Sequence, residues 1–200
     1  MIFDWIEITK ALVLLLFPLG LALGKNLRLC TYAQLSDLDV PHWIVSWVLV
    51  PILWVDPLRA FLGTWFLCDA ITLDPHQKGT FVQLPILIAI GVLGVALLVQ
   101  IFVVRKAESM LAPMGYAGGM LLALNIPPVA AVFAIILAVA GASAMRNWAS
   151  FFAIAAVAAV AFGFLFKGNH LWLAGCGALL LLPAVIGFIS QREYVMPCRN

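Results

Sequence analysis

Asp56, Arg59 and Asn125 have the side chains best suited to chemistry, because each interrupts a long apolar run. Asp56 and Arg59 lie three apart in the stretch WVDPLRAF, with Pro57 between them. On a helix that spacing places an acid and a base on one side, within reach of each other. At membrane depth an ionisable group costs at least about 2.5 kcal/mol, so such groups pair and face protein or a cavity. A buried pair of this kind can line a route for a proton, an ion or a small substrate. It can also be structural, with Asp56 capping a helix start and Arg59 reaching the headgroups, or it can only fix packing. Asn125 opens Asn125-Ile126-Pro127-Pro128, in which two prolines remove backbone donors and Asn125 can serve a carbonyl left over.

Other chemistry is sparse. A nucleophile needs an adjacent base, and no Ser/His or Ser/Lys constellation is present. His42, His76 and His170 sit at segment edges or in loops, and HExxH is missing. Asp69, Asp74 and His76 form one local group, read as turn and cap residues. A haem between helices needs histidine inside a span, so none is expected. Cys30, Cys68, Cys176 and Cys198 make no CxxC pair. Cys68 and Cys176 lie in apolar runs and read as small core residues. No motif implies a metal or a cofactor.

The elements that position these residues follow from composition. The chain has 200 residues, 65% hydrophobic and 10% charged, with mean hydropathy +1.12. A soluble domain has about 45–50% apolar and about 25% charged residues. The expected class is therefore an all-α, polytopic membrane bundle, a single transmembrane domain over residues 1–200. The lipid bilayer is its first partner, and a bacterial-type inner membrane is the expected location. The 11 basic residues are scattered, whereas nucleic-acid binding needs a clustered basic face, so nucleic acid is not an expected partner. The acidic start with Asp4 and Glu7 does not match the positive region of a signal peptide. A retained first helix is expected, and lipidation at the LRLC ending in Cys30 is not.

A spanning helix needs roughly 20 apolar residues. That places crossings at 6–24, 41–72, 81–104, 114–142, 148–166 and 171–189. The count is six, or seven if 41–72 passes twice. Two segments are expected to be broken or kinked, at Asp56-Pro57 and at Asn125–Pro128. Aspartate at an N-cap followed by proline at N1 is a helix-start signal. Drawn instead as one continuous helix, 41–72 has two faces. Trp43, Trp47, Trp54, Phe61 and Trp65 fall within about 40° of one another, and Asp56, Arg59 and Gly63 fall opposite, within about 60°. The aromatic ladder suits lipid or a partner helix. Small residues repeat every four positions at Ala130, Ala134, Ala138 and Ala142, and at Ala155, Ala159 and Gly163. Gly115 and Gly119 add another step. Such rows let backbones approach closely within a bundle.

With 41–72 and 114–142 as single passes, the basic residues divide evenly. Lys25, Arg28, Arg105, Lys106 and Lys167 fall on one side, and Lys10, Lys78, Arg146, Arg192 and Arg199 on the other. The positive-inside rule then assigns no orientation. The functional expectation is a non-catalytic subunit or accessory of a larger membrane assembly, packing through the Trp face with other membrane-protein subunits. The alternatives are a small transporter or channel with an intramembrane Asp56/Arg59 site, and a membrane-embedded lipid-modifying enzyme.

Overall fold

The computed structural model describes residues 4–18, 28–36, 51–71, 83–102, 109–166 and 170–198. Among these lie eight helices: α1 (Trp5–Leu16), α2 (Tyr32–Ser36), α3 (Pro51–Ala70), α4 (Gln83–Phe102), α5 (Met114–Ala123), α6 (Pro128–Met145), α7 (Trp148–Leu165) and α8 (His170–Ser190). Three short strands join them: β1 (Arg28–Cys30), β2 (Ser109–Leu111) and β3 (Glu193–Cys198). Four helices, α4, α6, α7 and α8, are long and apolar enough to cross a membrane, with mean hydropathies of 2.6, 2.2, 2.1 and 2.2. Leu87, Val95, Ile136, Val157 and Phe188 project outward from them. A helix that is apolar all round suits a lipid surrounding, so these four support a helical membrane protein.

Helix α1 runs antiparallel to α3. The Asp4 N–H donates to the Ala70 carbonyl at 3.4 Å, tying the start of α1 to the end of α3. Asp4 also caps α1, accepting from Ile6 N at 3.0 Å and Glu7 N at 3.3 Å. At the other end of the bundle, β3 runs antiparallel to β1 through its C-terminal half and parallel to β2 through its N-terminal half. Tyr194, Val195 and Met196 of β3 are buried. The fold is helical, as expected, with this small sheet added at one end. The tail read as merely polar supplies its central strand.

Three expected boundaries change. Within the first expected crossing, 6–24, helix α1 ends at Leu16 after 12 residues, and residues 19–24 lie outside the described residues. Pro18 has no N–H for the Leu14 carbonyl, so the helix stops there. The expected break at Asp56-Pro57 is absent, because α3 runs unbroken for 20 residues with Pro57 inside it. Asp56 does not act as an N-cap; its carboxylate is engaged by Arg59 one turn along. Trp43 and Trp47 lie outside the described residues.

The segment 114–142 is not one kinked crossing. Ala112, just before α5, donates to Val195 of β3 at 3.0 Å. Tyr32, beside β1, donates to the Ser143 carbonyl near the end of α6 at 3.3 Å. The start of α5 and the end of α6 therefore share the sheet end, and the two helices run in opposite directions. Asn125–Pro128 is the turn between them. Pro128 at N1 of α6 loses no hydrogen bond, and Pro127 keeps Ile126 out of the helical region. This reversal removes the single pass on which the even division of basic residues rested.

The small-residue rows lie inside the bundle. Ala130, Ala134, Ala138 and Ala142 are buried, as are Ala155, Ala159 and Gly163. Helices α6, α7 and α8 pack in sequence, and α5 packs on α3. The closest approach there is at Gly119, where an added Cβ would lie 2.7 Å from the Pro57 carbonyl carbon.

Candidate functional site

The inner face of α3 carries Asp56, Arg59 and Gly63, all buried. Its outer face carries Trp54 and Trp65, both more than half exposed, with Phe61 partly covered between them. Phe61 and Trp65 meet edge to face with centroids 5.7 Å apart. One α-helical turn separates Asp56 from Arg59, so the Arg59 guanidinium folds back onto the carboxylate. Nε donates to Asp56 Oδ1 at 2.8 Å and Nη2 to the same oxygen at 2.5 Å.

The pair does not stand alone. Arg59 Nη2 also donates to Gln100 Oε1 of α4 at 2.8 Å. Arg59 Nη1 donates to the Leu14 carbonyl at 3.0 Å and to the Phe17 carbonyl. Gln100 Nε2 donates to the carbonyls of Leu15 at 3.1 Å and Phe17 at 3.2 Å. The Tyr116 hydroxyl of α5 donates to Leu15 O at 3.1 Å, and the Arg59 guanidinium lies 5.1 Å from the centre of the Tyr116 ring. Relative exposure is 8% for Asp56, 6% for Arg59, 1% for Gln100 and 0% for Tyr116.

The last turn of any α-helix leaves carbonyls without intrahelical partners. Here those of α1 end inside protein. Side chains from α3, α4 and α5 converge on them, and the arginine places a cation at the negative end of the α1 dipole. The Tyr116 ring adds a cation–π contact. Asp56 neutralises the arginine, so the cluster carries no net formal charge. All three guanidinium nitrogens are occupied. Gln100 lies in the last turn of α4 and Tyr116 in the first turn of α5, so the cluster sits toward the sheet end of the bundle.

Asn125 is not brought to this cluster. It is exposed in the α5–α6 turn, at the end away from the sheet. It lies about 14 Å along the chain axis from Tyr116, taking 1.5 Å per residue. Gln100 and Tyr116 complete the site without having been singled out as members. A glutamine near the far end of an apolar span was the available signal for the first. Tyr116 gave none, and the carbonyls that both serve are backbone atoms.

Beside the cluster, an apolar cleft of about 210 Å³ opens between α3 and α5 on one side and α6 and α7 on the other. Trp54, Pro57, Gly118, Ile135, Trp148 and Phe151 line it. Among the described residues no group of histidine, cysteine, aspartate or glutamate could hold a metal ion. Comparison with protein-family models, with curated proteins and with solved structures finds no match for this chain.

Proposed function

We propose that the protein is a non-catalytic, multi-pass component of a larger membrane assembly, with α3 as its docking helix. The four helices long and apolar enough to cross, α4, α6, α7 and α8, are its spanning segments in this reading. The observation that carries it is the division of α3. One face is committed to the buried Asp56–Arg59 cluster. The other presents Trp54, Leu58, Leu62 and Trp65, with exposures of 55%, 60%, 36% and 56%. Large rings that are rigid and apolar give a helix face high contact area at low entropic cost, and aromatic residues are enriched where proteins meet. Trp54 and Trp65 are about 16 Å apart along the helix at 1.5 Å per residue, long enough to seat a second helix.

The transport reading receives less support, because the donors of Arg59 and Gln100 are spent on α1 carbonyls. Purification of the full chain from its native membrane in mild detergent tests the assembly reading. A stoichiometric membrane partner is expected, lost in the double variant Trp54→Ala/Trp65→Ala while the variant stays folded. A wild-type chain that purifies alone, with the mass of one copy, overturns it.

A further inference from the structure

At the sheet end a second pocket, of about 720 Å³, lies between the start of α7 and the end of α8, closed above by the α2 region and β3. Its rim is charged: Arg146, Arg192 and Glu193 line it. Ile154 on α7 and Ala184 on α8 line it farther along the bundle, and the exposed Phe188 lines it in the last turn of α8. Ile154 and Ala184 each lie six residues inside their helix end, about 9 Å at 1.5 Å per residue. The pocket is thus graded from charged to apolar along the bundle axis. Both walls are helices apolar enough to span a membrane.

Among the described residues neither arginine forms an ion pair; the salt bridges there are Lys10–Glu7 and Arg59–Asp56. Both arginines are placed by left-handed backbone. Arg146 itself has φ 49° and closes α6, and Gln191, with φ 51°, closes α8 immediately before Arg192. Those are the only positive-φ non-glycine residues among the described ones. In αL an L-residue costs roughly 1–2 kcal/mol, which glycine avoids.

We propose that this pocket binds an anionic phospholipid, its phosphodiester held between Arg146 and Arg192 and the start of an acyl chain lying along the α7–α8 groove. Two arginines and one glutamate give the rim a formal charge of +1, which suits a headgroup of net charge −1 such as phosphatidylglycerol over a zwitterionic one with the same phosphodiester. Guanidinium forks bind phosphate oxygens with charge-assisted hydrogen bonds. A soluble anion would gain nothing from Ile154, Ala184 and Phe188. A lipid tail would, because each buried CH₂ is favourable by about 0.8 kcal/mol when it leaves water.

The test uses the full chain, delipidated in detergent and placed in nanodiscs of phosphatidylcholine with or without phosphatidylglycerol. Native mass spectrometry counts bound phosphatidylglycerol, and thermal melting reads its effect. The variant Arg146→Gly removes a charge at a position where glycine favours the backbone, so loss of folding does not confuse the result. Arg192→Gln and the charge-keeping Arg146→Lys accompany it. The expected result is preferential retention of phosphatidylglycerol by wild type, about tenfold weaker in Arg146→Gly and Arg192→Gln, and largely kept in Arg146→Lys. Equal retention by wild type and both neutral variants overturns the proposal. So does equal stabilisation of the wild type by inorganic phosphate, which would assign the rim to a soluble anion.

Discussion

Arg59 gives the Leu14 carbonyl the hydrogen bond that Pro18, lacking an N–H, cannot make. The two residues are far apart in sequence, and the proline makes the arginine necessary. The acid–base pair on α3 is in this sense a helix cap, acting on another helix. Asp56 keeps the cation neutralised while it does so.

Removing Arg59 should therefore cost more than removing Asp56. Arg59→Met strands a buried carboxylate and leaves the Leu14 and Phe17 carbonyls without that donor, a loss of about 3–5 kcal/mol. Asp56→Asn leaves a buried arginine charge without its counter-ion but keeps its hydrogen bonds to Gln100 and the α1 carbonyls, so a loss of about 3 kcal/mol, the low end of that range, is expected. The double variant Asp56→Leu/Arg59→Met should lose less than the sum of the two, because no charge is left unpaired. Equilibrium unfolding in a mixed detergent series measures all three. An Arg59→Met protein as stable as wild type would mean that the end of α1 is satisfied by other groups.

The contact between Gly119 and the Pro57 carbonyl fixes how closely α5 approaches α3. A methyl group at Gly119 meets backbone, which cannot turn aside. Gly119→Ala should destabilise by about 1–3 kcal/mol as the helices are forced apart. Gly91→Ala on α4 is the control, since nothing lies within 4 Å of its Cβ. There alanine should stabilise the helix by roughly 0.5–1 kcal/mol. Parallel thermal melts of the two variants read the difference in sign.

How far the sequence discloses this arrangement depends on the element. Uninterrupted apolar runs ended by charged or turn residues mark α4, α7 and α8 within a few positions. Asp56-Pro57 misleads because its cap chemistry is local, whereas the carboxylate is claimed by Arg59 and the helix is held by α1 and α5. The two prolines at 127 and 128 announce a break, but no local rule tells a kink from a full reversal. The sheet escapes notice because β1 and β2 are three residues long and pair with a strand remote in sequence. The Asp56–Arg59 spacing is legible as a pair. Its targets are main-chain carbonyls of Leu14, Leu15 and Phe17, which no side-chain pattern encodes.

Cys30, at the end of β1, is disulfide-bonded, while Cys68 and Cys176 are free thiols inside the bundle. Maleimide labelling of the folded chain should leave Cys176 untouched. After unfolding without reductant Cys68 and Cys176 should react and Cys30 should not, and reduction should add Cys30. Reduction should also lower stability by about 2–4 kcal/mol, the usual effect of losing a cross-link. Labelling of Cys30 without reductant would place it in the reduced state and remove the covalent tie from the sheet end.

Tyr194 ties β3 to α8, its hydroxyl donating to the Pro183 carbonyl, and burial pushes its phenol up from 10.0 to about 12. The folded protein thus holds a proton that the unfolded chain has released between those two values. The resulting stability is whole below about pH 10 and drains away as pH rises through about 12. Tyr194→Phe lacks both the hydrogen bond and this titration, so it should be less stable than wild type by about 1 kcal/mol near pH 8. That gap should close between pH 10 and 12, as the wild type alone comes to bury a phenolate or lose the contact. Paired melts of wild type and Tyr194→Phe at matched pH cancel the titration of every other group. A gap that stays constant up to pH 12 would show that the Tyr194 hydroxyl is open to water and that β3 is not anchored to α8 through it.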